Sequence, residues 1–179
     1  MTTNSELRKE QQKINIAIAV SFFFCLVVVA GAIFLIPGVF LLPIEFGERI
    51  AFALQANIFV LVWVVIAVGM VSHGRRHSAA DICGSAYAAP SPSIAVRVAF
   101  LQNTLEQSVI AAGAYLALAT LLSGPALAFI PASVLLFAIG RVTFYLGYPK
   151  GAGARAFGIA TTMLPTLAGY IWAIFLIAK

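Results

Sequence analysis

Charge is scarce in this chain: among 179 residues only 9% are Asp, Glu, Lys or Arg, against a hydrophobic fraction of 62%. A soluble domain carries about a quarter charged residues. There is too little polar surface here to cover a water-facing globule, which excludes a soluble enzyme and a disordered tail. Cysteine is scarcer still, with Cys25 in the first apolar run and Cys83 in a polar loop. That excludes a disulfide scaffold and leaves two free thiols. The histidines, His73 and His77, stand four apart, but Gly74 and the adjacent Arg75 and Arg76 make this a poor metal site, and no metal is expected. What the chain has in abundance is apolar sequence, with a mean hydropathy of +1.03. An integral membrane protein remains. A spanning helix takes about 20 residues, so the length holds five or six helices and no separate soluble domain.

The apolar runs divide the chain. Residues 1–13 are polar and read as a cytoplasmic N-terminus; residues 14–49 hold a first spanning helix, Ile14 to Ile36, closed by Pro37 and Pro43. Ala30-Gly31-Ala32 resembles a signal-peptide cleavage site. The run exceeds an ordinary signal core of about 7–15 residues, so a retained helix is expected. Residues 50–179 supply four more helices: Ile50 to Ser72, Ile94 to Leu122, Pro125 to Leu146 and Ala154 to Ala178, the last with a kink expected at Pro165. The fold class is therefore an all-α integral membrane protein with five transmembrane helices.

Five alternating helices put every Lys and Arg except Arg49 and Lys179 on one side. Cations accumulate on the cytoplasmic side, which places the N-terminus, the 73–97 loop and the 147–155 loop there; a bacterial inner membrane fits. Because these cations are scattered between apolar runs, they read as topology signals and not as a nucleic-acid footprint.

Glu106 is the one acid inside a spanning segment. A carboxylate in hydrocarbon is costly and marks a functional site by default. Asn103 lies one turn earlier on the same face, flanked by Gln102 and Gln107. Interhelical hydrogen bonding that glues the bundle is the plainer alternative. Arg141, Phe144 and Tyr148 stack at spacings of three and four near the end of the fourth helix, and Arg155 opens the fifth. A guanidinium there can hold a carboxylate or favour a bound thiolate. Alternatively, Arg141, Lys150 and Arg155 are anchors that snorkel to the interface.

The helix with Gln102-Asn103-Thr104-Leu105-Glu106-Gln107, followed by Gly140-Arg141-Val142-Thr143-Phe144-Tyr145-Leu146-Gly147-Tyr148 and then Arg155, resembles the MAPEG family, the membrane-associated proteins of eicosanoid and glutathione metabolism. The resemblance covers roughly residues 53 to 178 and leaves out the first helix. It implies a four-helix family domain preceded by one extra helix, a homotrimer, and a cytoplasm-facing site between subunits that takes glutathione as cosubstrate. It further implies that Asn103 and Glu106 bind the glutathione peptide, that Tyr148 lines the same pocket and that Arg155, as catalytic residue, stabilises the thiolate. Gln102, Arg76, Arg97 and Arg141 join the expected binding set. Arg75 and Arg76 stand where several members carry basic residues. Two positions depart from the family pattern: Ala99 replaces an arginine, with Arg97 two residues earlier as the substitute, and Phe144 replaces a tyrosine of some members.

The function implied is a membrane-embedded glutathione-dependent transferase or peroxidase acting on a lipophilic small molecule reached from the surrounding membrane lipid. Two alternatives stay open. One is a non-catalytic lipid-binding or structural protein on the same scaffold; the other is a small transporter that uses Glu106 for proton coupling.

Overall fold

The computed structural model describes residues 4–179. Five long helices follow one another, α1 (Asn4–Leu35), α2 (Phe46–Arg76), α3 (Ala95–Leu121), α4 (Phe129–Gly147) and α5 (Ala152–Ile177), and the described residues hold no strand. Five segments are long and apolar enough to cross a membrane. With no water in a bilayer core, each spanning segment must satisfy its own backbone N–H and C=O groups, which a helix does and an irregular segment does not.

The boundaries differ from the expected ones most at the N-terminus and at the start of the fourth span. From Asn4 onward the polar N-terminal stretch is one continuous helix with the apolar run behind it. Its Glu, Arg, Lys and Gln residues are good helix formers, and Lys13 pairs with Glu10 at 2.6 Å across one turn. The fourth span opens with a short 3-10 turn, Gly124–Ala128, which takes Pro125 at its start, before α4 proper begins at Phe129. Pro165 lies inside an unbroken α5. Proline lacks the N–H that would bond the carbonyl four residues back, and the carbonyl of Thr161 instead accepts the Cys25 Sγ–H at 3.8 Å. The Ser21 and Thr161 hydroxyls share a hydrogen bond of 2.8 Å beside it. The first helix thus docks at the gap the proline leaves.

Consecutive helices alternate in direction. The guanidinium of Arg49, at the start of α2, donates to the carbonyl of Leu122 at the end of α3, and Gly74, at the far end of α2, faces Arg97 at the start of α3. α4 and α5 approach so closely that a Cβ on Gly158 would run into the backbone of Phe144, and one on Gly140 would stand 2.8 Å from the Gly158 carbonyl. Small residues at such a crossing let van der Waals packing hold two helices where no hydrophobic force distinguishes protein from lipid. The core is built from α3, α4 and the turn before it, with Tyr115, Leu118, Leu127, Ile130 and Phe137 fully buried. α1 stands apart: only Ser21 and Cys25 are buried along its length.

Candidate functional site

The site residues gather at the end of the bundle where α3 and α5 begin and α4 stops. Arg141, in the last two turns of α4, is fully buried. Its guanidinium donates from Nη1 to Asn103 Oδ1 at 2.8 Å and from Nη2 to Thr162 Oγ1 at 2.8 Å. It also lies 5.5 Å from the Phe137 ring and 5.1 Å from the Phe144 ring. The reading of Arg141 as an anchor snorkelling to the interface is therefore corrected. Gly140 and Gly158 bring the α4 and α5 backbones together around it, and the side chain is trapped among the helices. Among the described residues no carboxylate lies within ion-pair distance of Arg141. A buried cation held only by neutral acceptors and ring faces is a costly arrangement.

From Arg141 a ladder of side chains runs toward the membrane surface. The rings of Phe144 and Tyr148 meet edge-on with centroids 5.4 Å apart, and the guanidinium of Arg155 sits 4.4 Å from the Tyr148 ring. The ladder is local in origin. Positions 141, 144 and 148 fall on one face of α4 by helix periodicity, and the short turn through Gly151, at φ +104°, folds α5 back so that Arg155 reaches Tyr148. Asn103, Arg141, Tyr148 and Arg155 thus form one connected set.

Glu106 points elsewhere. It is exposed on the surface of the single chain, and its Oε1 accepts a hydrogen bond from Gln102 Nε2 at 2.7 Å. Arg97 lies against Gly74 of α2 and, with His73, Met70 and Tyr145, lines a separate cleft between α2 and α4. That cleft borders the ladder through Phe100, whose ring is 5.1 Å from Tyr145 and 6.1 Å from Phe144. Arg76 is exposed at the end of α2, while its neighbour Arg75 donates to Ser85 Oγ at 2.5 Å. The loop after α2 is organised by Asp81, which accepts hydrogen bonds from the Ser78 hydroxyl and from the Ser91 amide and hydroxyl. The Ser78 bond foremost, then those from Ser91, holds the Asp81 carboxyl below the usual aspartate range. The His73 and His77 rings lie 4.4 Å apart, tilted to each other, and among the described residues no group of three metal-ligating side chains forms.

Four participants had no signal in the sequence. Thr162 is one threonine in an apolar run, yet it supplies Arg141 with its second acceptor. Tyr145 and Phe100 read as ordinary packing residues, because their proximity depends on how α3 crosses α4. Glu10, in the polar N-terminus, accepts the backbone N–H of Gly153 at 3.0 Å and so tethers the start of α5 two residues before Arg155.

Five apolar helices enclosing a buried arginine and a polar seam define an integral, multi-pass helical membrane protein. Within that class the chain belongs to the MAPEG family, whose model matches residues 50–175. The matched segment contains α3, α4 and every member of the ladder; α1 lies outside it. No curated protein and no solved structure matches the chain.

Proposed function

We propose that this protein is a membrane-embedded glutathione-dependent transferase or peroxidase acting on a lipophilic electrophile, with residues 50–179 as the family domain and residues 14–49 as an added helix. The observation that carries this reading is the ladder from Asn103 through Arg141 and Tyr148 to Arg155, which concentrates two guanidinium groups at one end of an apolar bundle. Glutathione offers a peptide, two carboxylates, an ammonium and an ionisable thiol, and the residues present fit three of these needs. Arg155, half-buried and steadied by Tyr148, favours a thiolate over a thiol; Asn103, held in place by the buried Arg141, is suited to the peptide; the exposed Glu106 is suited to the ammonium. Gln102 orients Glu106 through its hydrogen bond, whereas Arg97 and Arg76, outside the ladder, serve headgroup-side contacts. The nucleophile glutathione supplies is its sulfur. The chain's part is to hold that sulfur ionised at Arg155 and to offer the acceptor an apolar approach.

Because Glu106 faces outward from the single chain, a neighbouring subunit is needed to enclose the peptide, which accords with the trimers general in this family. The concentration of cations at the start of α1, α3 and α5 and the end of α2 sets that end of the bundle, with the N-terminus, toward the cytoplasm, as in a bacterial inner membrane. Titration calorimetry of glutathione into detergent-purified protein tests binding, and stopped-flow absorbance near the thiolate band tests ionisation. Wild type gives a glutathione-dependent thiolate signal that Arg155→Ala abolishes; no heat and no signal in wild type overturns the reading.

A second reading is favoured by Phe144, which is buried and has no hydroxyl, and by Ala99, which offers no charge to a glutathione carboxylate. On that reading the scaffold binds lipid without catalysis, and the protein gains thermal stability from lipid but none from glutathione.

A further inference from the structure

The cleft between α2 and α4, of about 390 Å³, collects hydrogen-bond donors from three helices: the Arg97 guanidinium of α3, the His73 ring of α2 and the Tyr145 hydroxyl of α4. Among the described residues none of these three side chains has a hydrogen-bond acceptor or an ion-pair partner. Arg97 lies across Gly74, where a Cβ would stand 2.7 Å from its Nη1, so the glycine leaves the guanidinium its place. The acids nearby are turned away or taken. Glu106 stands nine positions beyond Arg97, half a turn round α3, and is bonded to Gln102. Asp81 is taken up by Ser78 and Ser91. The cleft therefore holds positive charge with no anion to balance it.

Away from the helix ends the cleft becomes apolar. A second cavity, of about 150 Å³, shares Ile66, Met70 and Tyr145 with the first and continues between Trp63 of α2 and Val142 of α4. Arg141 also lines it, but its guanidinium is engaged by Asn103 and Thr162. Trp63, Ile66, Met70 and His73 recur at spacings of three and four, so they share one face of α2. At about 1.5 Å of rise per residue, His73 to Trp63 spans about 15 Å, or about half of a hydrocarbon core about 30 Å thick.

We propose that this cleft binds one phospholipid of net negative charge, with its phosphate on Arg97, His73 and Tyr145 and one acyl chain along Met70, Ile66 and Trp63. Phosphate oxygens accept the forked donors of a guanidinium, and the donors stand at the helix ends, where headgroups lie. The apolar continuation has the reach of a single leaflet. A soluble phosphate would satisfy the donors and leave the seam empty; a zwitterionic lipid would bring an ammonium for which the cleft offers no carboxylate. The site is independent of glutathione, since Tyr148 and Arg155 line neither cavity.

The test uses the full chain carrying Trp172→Phe, which leaves Trp63 as the only tryptophan, in phosphatidylcholine nanodiscs with increasing phosphatidylglycerol brominated at mid-chain. Bromine quenches indole fluorescence on contact, so the titration reads occupancy of the seam. Brominated phosphatidylglycerol is expected to quench with about tenfold or greater preference over brominated phosphatidylcholine, and Arg97→Gln to lower that preference about tenfold, the scale of a charge-assisted hydrogen bond. Arg97→Lys should restore only part of it, while Lys150→Gln, which removes an exposed cation at the same end outside the cleft, should leave it nearly unchanged. Equal quenching by the two lipids overturns the proposal, as do equal losses from Arg97→Gln and Lys150→Gln, which mark general charge attraction. Dibromostearate quenching as well as phosphatidylglycerol overturns the choice of phosphate over carboxylate. Release of the quench by millimolar inorganic phosphate, but not by chloride of equal ionic strength, overturns the lipid in favour of a soluble anion. A second measurement needs no variant: phosphatidylglycerol with a diazirine in its acyl chain, photolysed in the same nanodiscs with the wild-type protein, should label Ile66 and Met70 above Val65, which is exposed on another face of α2. Even labelling around α2 overturns the site.

Discussion

Helix α5 makes two interfaces of opposite character. Toward α4 it packs backbone against backbone through Gly140 and Gly158 and encloses a fully buried arginine with its acceptors. Toward α1 it makes two polar pins, with one apolar groove beside them and a second beyond the Ser21–Thr161 pin. The difference teaches how one bundle supplies both rigidity and access. The close seam has no room for rearrangement and fixes Arg141, Phe144 and Tyr148 relative to one another. The loose seam holds α1 in register while leaving a path from lipid to Arg155.

The sharpest way to break the comparison is Gly158→Val. Its methyl groups have nowhere to go between the α4 and α5 backbones, and overpacking there is expected to cost about 3 kcal/mol; monodispersity by size-exclusion chromatography and the thermal midpoint should both fall. Next in size is Arg141→Ala, which leaves Asn103 and Thr162 without their shared donor. A loss of about 2 kcal/mol is expected, read as a lower thermal midpoint, with Arg141→Lys restoring only part because an ammonium lacks the planar fork. Against these, Ser21→Ala removes one interhelical hydrogen bond of the loose seam. Such bonds average about 0.6 kcal/mol within membranes, so global stability should barely move, while Cys25 should react faster with a membrane-permeant maleimide. Equal destabilisation by Ser21→Ala and Gly158→Val would erase the contrast.

The smallest effect lies outside both seams. The hydrogen bonds from Ser78 and Ser91 lower the Asp81 pKa in the folded protein, so their stabilisation is present above the unfolded value near 3.8 and is lost as pH falls through the lower folded value. The protection factor of the Ser91 amide against hydrogen exchange should therefore stay high at neutral pH and fall as pH drops below about 4, while amides of α4 and α5 remain protected.

Much of this architecture was legible in the sequence. The uncharged runs located all five spans, and their length and punctuation by Pro37, Pro43, Ser123-Gly124-Pro125 and Gly151 set most boundaries within a few residues. The spacing of Arg141, Phe144 and Tyr148 correctly put them on one face, because helix periodicity is a local property. The fate of Arg141 was not legible: the same arginine near a helix end serves as a snorkelling anchor when its face meets lipid and as a buried donor when a glycine-lined helix crosses it. Glu106 shows the converse. It was expected to share a face with Asn103, yet Asn103 turns inward to Arg141 while Glu106 pairs with Gln102 on the outside.

The sequence by itself determined the membrane class and the helix count, because a backbone in hydrocarbon has to satisfy its own hydrogen bonds and so few charges cannot solvate a globule. It also carried the family motif, since short polar patterns at fixed spacing survive without reference to neighbours. Only the tertiary structure decided that α1 docks at the carbonyl freed by Pro165, that Thr162 and Asn103 share Arg141, and that a groove runs from the bilayer to Arg155. Each of these depends on which helix faces which, a relation between residues up to 143 positions apart that no local periodicity encodes.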